Sequence, residues 1–261
     1  MGWGRPRYLS QRNLFRPFDA EQLALALDLR PHVVSFHFGL PETAAVRRLK
    51  GAGCIILSSA TSVAEARSLE ADGADVIIAQ GFEAGGHRGS FSDSVGAGMV
   101  GTMALVPQIV DAVHVPVIAS GGIADGRGIA AAFALGASGV QMGTAFLGCP
   151  EAIVSPLHRA RLRAAADEGT VLTRVFTGRP ARAPRNRFVA EMADTEPLDF
   201  PLQASLLGPL WRLPNEEARA AFMPVWAGQA APLVRELPAG RLIEQLVAEA
   251  QPIIGQARSA P

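Results

Sequence analysis

Cysteine, lysine and net charge are all scarce in this sequence. Two cysteines, Cys54 and Cys149, in 261 residues leave no room for a disulfide framework. Each lies in or beside an apolar, strand-like run, where a buried reduced thiol is expected. Lys50 is the only lysine, so the 24 basic residues are nearly all arginine, a bias read as codon usage rather than mechanism. The 24 acidic residues cancel them, and a net charge of zero points to neither a nucleic-acid nor a membrane partner. No apolar run is long enough to span a bilayer. The basic start (Arg5, Arg7, Arg12, Arg16) is followed by no apolar core, so no secretory signal is expected and a cytoplasmic protein is. No Cys/His or carboxylate cluster has ligand spacing, so no metal site is expected.

What the chain does have is apolar segments in a repeating order. Hydrophobic residues make up 49% and charged residues 18%, a soluble α/β composition rather than a disordered one. From residue 33 to about 147, short runs apolar on both faces alternate with helical patterns. The strands expected are Val33 to Phe38, Cys54 to Ser58, Val76 to Gln80, Pro116 to Ser120 and Gly139 to Gly143. The helices expected are Glu42 to Ala52, Ser62 to Asp72, Met103 to Val113 and Gly126 to Leu135. Ser62 followed by Glu65 is a capping-box signal, and Gly73 and Gly136 fall where helix C-caps belong. Such a pattern is that of a parallel sheet. Ser58-Ser59, Gln80 to His87, Ser120 to Gly122 and Gly143-Thr144 all lie at C-terminal strand ends. Four successive strands therefore serve one face, which favours a TIM-type (β/α) barrel over an open doubly wound sheet.

The expected organisation has four parts. Residues 1–32 form an N-terminal segment and 33–147 the barrel portion. Residues 148–232, rich in proline and arginine, form a small, mostly helical or irregular subdomain. Residues 233–261 supply a closing helix, Ala239 to Ala250, with Leu242, Ile243, Leu246 and Val247 apolar, and a loose tail from Gly255. Five strands are not eight. About three βα units are missing before residue 33, so the barrel is incomplete at its N-terminus, and its open edge invites self-association.

The chemistry gathers in Gln80-Gly81-Phe82-Glu83-Ala84-Gly85-Gly86-His87-Arg88-Gly89. Four glycines in nine residues let backbone approach a ligand closely. His87, with an ordinary pKa near ~6.5, is suited to act as base, acid or anion-stabilising donor. Glu83 either orients the imidazole or is solvated. His37 points into the pocket or is a hydrogen-bonded core histidine. His32, His114 and His158 read as structural or surface residues. Ser120-Gly121-Gly122-Ile123 and Gln141-Met142-Gly143-Thr144 each end a strand and open a helix, one unit apart. Backbone N–H groups in such loops and at helix N-termini bind phosphate. Arg174, Arg179 and Arg187 either attract an anionic substrate or form a solvated face.

These residues, with Ser35-Phe36-His37-Phe38-Gly39, resemble the nitronate monooxygenase family, formerly 2-nitropropane dioxygenases, over roughly residues 30 to 250. The resemblance implies a TIM barrel with a small second domain and noncovalent FMN. Gln80 would contact the flavin ring. Gly121, Gly122, Gln141, Gly143 and Thr144 would hold the phosphate end, with Gly85, Gly86 and Ser120 completing the cofactor site. His87 would be catalytic. An alkyl nitronate, or a nitroalkane, would be oxidised with O₂ to a carbonyl compound and nitrite. The sequence departs from the family in lacking about three N-terminal βα units. Some members also carry a lysine near the flavin where this chain has Ser58-Ser59-Ala60. The alternatives are a flavin-dependent enoyl-acyl carrier protein reductase, which generally carries glutamate at the position of Gln80, and an inactive truncated remnant.

Overall fold

The computed structural model describes residues 17–91 and 98–259; the basic residues at positions 5 to 16 lie outside it. In chain order the regular elements begin with α1 (Ala20–Leu29), β1 (Val33–Phe36), α2 (Thr43–Gly51), β2 (Ile55–Ala60), α3 (Val63–Ala71), β3 (Val76–Gln80) and β4 (Gly86–His87). They continue with α4 (Thr102–Val110), β5 (Val117–Ser120), α5 (Gly126–Ala134), β6 (Gly139–Gln141) and a 3₁₀ turn, Thr144–Gly148. The last third holds α6 (Pro156–Arg163), β7 (Thr170–Thr173), β8 (Ala181–Pro184), α7 (Arg187–Glu191), α8 (Leu202–Leu207), α9 (Glu216–Phe222) and α10 (Ala239–Ser259).

Five strands form one parallel sheet in the order β1-β2-β3-β5-β6. The order follows the chain, as in a TIM barrel, and among the described residues β1 and β6 remain open edges. The strands are short and β-branched, and their middle residues are fully buried: Ile56, Ile77, Ile78 and Ala119 have at most 1% exposure. Helices α3, α4 and α5 cover one face through Leu69, Leu105, Val106, Ile109 and Ile129. Burial of such a side chain stabilises by about 1.5–3 kcal/mol, so this layer fixes where the strand ends lie.

Local chemistry sets the boundaries. Ser62 Oγ accepts the Glu65 backbone N–H, as a capping box requires. The Glu65 carboxylate, however, takes the N–H and hydroxyl of Thr61 at 2.6 and 2.7 Å and the N–H of Phe91. Its reach is one residue further back, so it ties the end of β2 to the glycine-rich loop. Gly73 and Gly136 adopt φ of +102° and +91°, which ends α3 and α5 cheaply. Helix α1 was not expected. It begins at a capping box between Asp19 and Gln22, and Leu23 packs with Val46, Leu49, Cys54 and Ile56.

Helix α10 packs against α5. Leu242 and Leu246 are buried, whereas Ile243 and Val247 are half exposed, so the expected four-residue apolar face is only half used here. Glu249 accepts the Gly126 N–H and pairs with Arg235 at 2.7 Å. The helix continues past Gly255 to Ser259 instead of ending there. The subdomain is not only helical: β7 and β8 pair antiparallel, and β4 of the glycine-rich loop joins them in the order β4-β8-β7. Strand β8, Ala-Arg-Ala-Pro, hides its character because Arg182 is buried. Its guanidinium donates to Phe82 O at 2.9 and 3.1 Å and stacks on the Phe82 ring.

Candidate active site

The glycine-rich loop is held as a rigid shelf over the C-terminal ends of the strands. Gln80, the last residue of β3, clamps it with both ends of its amide. Its Nε2 donates to His87 O at 3.1 Å and its Oε1 accepts Gly89 N–H at 2.7 Å. Arg88 is wholly buried. It donates to the carbonyls of Gly81, Gln80 and Gly98 at 2.6–2.9 Å, and burial lowers its pKa to about 10. Glu83 neither orients the imidazole nor faces bulk solvent. Its carboxylate accepts the Thr102 N–H and hydroxyl and so caps α4 in place of a side chain at Gly101. Gly85 lies against the backbone of Ala227 and Gly228, with no space for a Cβ, and Gln229 N–H donates to Glu83 O.

His87 sits in β4, opposite Ala181 of β8. The rings of Trp226, Phe200 and Phe38 surround it at centroid distances of 5.3, 5.8 and 6.0 Å. Its Nε2 lies 2.9 Å from Thr177 Oγ1. Burial, reinforced by its titrating neighbour His37 and by the positive charge of Arg179, lowers its pKa from 6.5 to about 4, so the ring is neutral at physiological pH. His37 is hydrogen-bonded but exposed rather than a core residue: Nδ1 is 3.0 Å from Ser59 Oγ and Nε2 is 3.3 Å from His87 O. Desolvation of the ring lowers its pKa as well. The carbonyl of His87 can only accept, so Nε2 of His37 is the donor and Nδ1 accepts from the serine.

The three arginines separate. Arg174 pairs with Glu196 and Arg187 with Glu191. Arg179 stacks on Phe38 with its guanidinium carbon 3.9 Å from the ring centroid and donates to Ser90 O, which places positive charge beside both histidines. His158 is anchored to Trp226 O, His114 is exposed and 3.6 Å from Glu70, and His32 is exposed.

Next to this shelf lies a small cleft of about 140 Å³. Gln80, Gly85, Ser120, Gly121, Gly122, Gln141, Gly143 and Thr144 line it together with Glu83, Met142, Gly228 and Ala230. Gly121 and Gly122 have φ of +107° and +73°. A Cβ on Gly143 would meet nothing within 4 Å. Among hydrogen bonds between described residues, none is donated by the backbone N–H of Gly122, Gly143 or Thr144. Thr144 Oγ1 accepts from Gly228 N–H, which leaves its hydroxyl proton to donate elsewhere. The start of α5 does not contribute donors as expected: Asp125 takes the N–H groups of Arg127 and Gly128, and Glu249 takes that of Gly126. The backbone N–H groups left for an anion are those of the Gly121–Gly122 loop and the Gly143–Thr144 turn. These donors, and the open space beside Gly143, fit the phosphate end of a mononucleotide. Among the described residues no group of His, Cys, Asp or Glu is placed to hold a metal, and no helix is long and apolar enough to cross a membrane.

The profile of the nitronate monooxygenase family matches residues 7–249, nearly the whole chain. The chain belongs to the nitronate monooxygenase family. It is 44% identical over 243 residues to a nitronate monooxygenase of Pseudomonas aeruginosa, covering 91% of this chain and 69% of that protein. It superposes on the nitroalkane oxidase of Streptomyces ansochromogenes with a TM-score of 0.86 and 44% identity, covering 91% and 69% of the two chains. FabK from Thermotoga maritima follows at a TM-score of 0.77 and 35% identity, over 94% and 76%. The chain thus spans about two thirds of the length of its nitronate monooxygenase relatives, and its fold is that of their TIM barrel. Thr177, Phe200, Trp226 and Gly228 were missed by reading the sequence. They come from the subdomain and carry no local motif; the arginine-proline run Arg179 to Arg182 was the one signal near them.

Proposed function

We propose that this chain binds FMN in the cleft and oxidises alkyl nitronates with O₂ to carbonyl compounds and nitrite. The observation that supports it most is one arrangement: a neutral imidazole in an aromatic box, beside a cleft whose backbone donors come from two successive βα loops. Gly121, Gly122, Gln141, Gly143 and Thr144 hold the phosphate end, with Ser120 and Gly85 beside them; Gly86, in β4, does not line the cleft. Gln80 lies between cleft and His87; its amide is committed to the loop, so its role toward the ring is to fix that loop's height. When bound, FMN supplies the electron acceptor and the reactivity toward O₂.

The residues of the chain do the rest. The Arg179 guanidinium and the neutral His87 ring favour an anionic substrate and hold it in place. The aromatic box of Phe38, Phe200 and Trp226 excludes water. A nitronate is already a carbanion equivalent, so no proton need leave. With a neutral nitroalkane, His87 accepts the α-proton while the electron pair stays on carbon. The protein is read as cytoplasmic. The test is reconstitution with FMN followed by nitrite release from an alkyl nitronate without pyridine nucleotide. NAD(P)H-dependent reduction of an enoyl thioester, with no nitrite from nitronates, would move the assignment to the reductase.

A further inference from the structure

We infer that Thr102 is a positioning residue that keeps the backbone N–H of Gly122 turned into the cleft, toward the phosphate of the cofactor. This deepens the reading of the cleft as an FMN site, and rests on it. Gly121 and Gly122 stand at φ of +107° and +73°. With no Cβ on either side, the peptide plane between two such glycines can rotate at little steric cost. One orientation presents an N–H to the cleft and the opposite one a carbonyl oxygen. The first attracts an anion and the second repels it. A phosphate site built on this loop therefore needs a group outside the loop to select the plane.

Thr102 is placed to do so. It is buried and opens α4; Gly121 and Gly122 line the cleft, and Thr102 does not. Its Oγ1 donates to Gly121 O at 2.9 Å. The peptide between Gly121 and Gly122 is trans, so its C=O and N–H point in opposite directions. With the Gly121 carbonyl drawn to Thr102 behind the loop, the Gly122 N–H is turned to the cleft. The same hydroxyl donates to the Glu83 carboxylate at 2.8 Å, and the Thr102 N–H meets both carboxylate oxygens at 2.9 and 3.0 Å. Its one proton is shared between carboxylate and carbonyl. Glu83 thus anchors Thr102, and its stem backs the loop, 3.3 Å from where a Cβ on Gly122 would stand. Helix α4 is itself fixed by Leu105, Val106 and Ile109 in the core, so the plane of a mobile glycine pair is referred to a rigid element.

The test uses the full chain, flavin-free, labelled at glycine with carbonyl ¹³C and ¹⁵N. Gly85-Gly86 and Gly121-Gly122 are the two Gly-Gly pairs of the sequence, so a carbonyl-to-amide correlation spectrum holds two peaks. Gly85→Ala removes the first, and the peak that stays reports the Gly121 carbonyl and the Gly122 amide together. The titrants are FMN, riboflavin, which lacks the phosphate, and inorganic phosphate. In the wild type the Gly121 carbonyl should show the downfield shift of a hydrogen-bonded carbonyl. The Gly122 amide should move with FMN and with phosphate, and FMN should bind more tightly than riboflavin. Thr102→Val should shift the Gly121 carbonyl upfield and weaken FMN on the order of 10–100-fold, the worth of a hydrogen bond to a charged group, with riboflavin affinity nearly unchanged. Thr102→Ser should behave as the wild type. A folded Thr102→Val that keeps the preference for FMN over riboflavin would overturn the inference. Equal losses for the two flavins would do the same, since they mark a structural role alone. If Thr102→Val does not fold, the wild-type peak decides: a Gly121 carbonyl without the downfield shift overturns the inference, and one with it, beside an amide that moves with phosphate, supports it. Phosphate that moves Gly122 in a protein binding neither flavin would support the role of Thr102 and refute the proposed cofactor instead.

Discussion

At the residue scale, His87 carries two separate consequences. The first is thermodynamic. Its pKa of about 4 in the folded protein lies below the unfolded value near ~6.5, so between these pH values the unfolded chain binds the additional proton. Stability from this group is therefore fully present above pH ~6.5 and is lost as pH falls toward about 4, by on the order of 3 kcal/mol. The lowered pKa values of His37 and His158 act in the same direction. Urea unfolding at pH 7.5 and 4.5 should show a smaller loss of stability in His87→Gln than in wild type; equal losses would place the titration elsewhere. The second consequence is kinetic. His87→Asn should retain FMN but lose about 10²–10⁴-fold in turnover of a neutral nitroalkane, and less on preformed nitronate. Steady-state nitrite assays on both substrates check this. His87 was legible in the sequence because it stands among glycines at a strand end. Its partners were not, because Thr177, Phe200 and Trp226 approach it only through tertiary contacts some ninety residues or more away.

At the scale of elements, two glycines separate the work of holding the loop from that of holding a ligand. Gly143 sits at a negative φ with open space where a Cβ would go. Gly143→Val should leave the melting temperature unchanged and weaken FMN binding in a fluorescence titration. Gly85 abuts the Ala227–Gly228 backbone, so Gly85→Ala must push the loop away from that segment. It should lower both the melting temperature and FMN affinity. The βα repeat was legible because buried parallel strands are apolar throughout and their helices have a different period. Strands β7 and β8 were not: they are four residues long, and β8 buries an arginine that reads as surface. The function of Glu83 was equally hidden, since Thr102, whose N–H and hydroxyl it holds, is 19 residues away.

At the scale of the molecule, among the described residues, the sheet ends in two strands, β1 and β6, each paired on one side only. Val33 and Ile55 near one edge, and Ile243 and Val247 on α10, are each about half exposed, and open edges with apolar surface favour association. Sedimentation velocity should show a mass that rises with concentration; a monodisperse monomer from roughly micromolar to 100 μM would mean that these edges are protected. The five parallel strands and their chain order could be anticipated from the alternation of apolar strands and helices. The joining of the loop to the subdomain sheet could not, since a two-residue strand has no period. The most direct test of the account is aerobic turnover by the FMN-reconstituted chain, with nitrite and O₂ followed together. The account predicts nitrite release and O₂ uptake from ethyl nitronate without NAD(P)H, and loss of the nitroethane reaction in His87→Asn. A folded protein that takes up FMN yet releases no nitrite from any nitronate would contradict it.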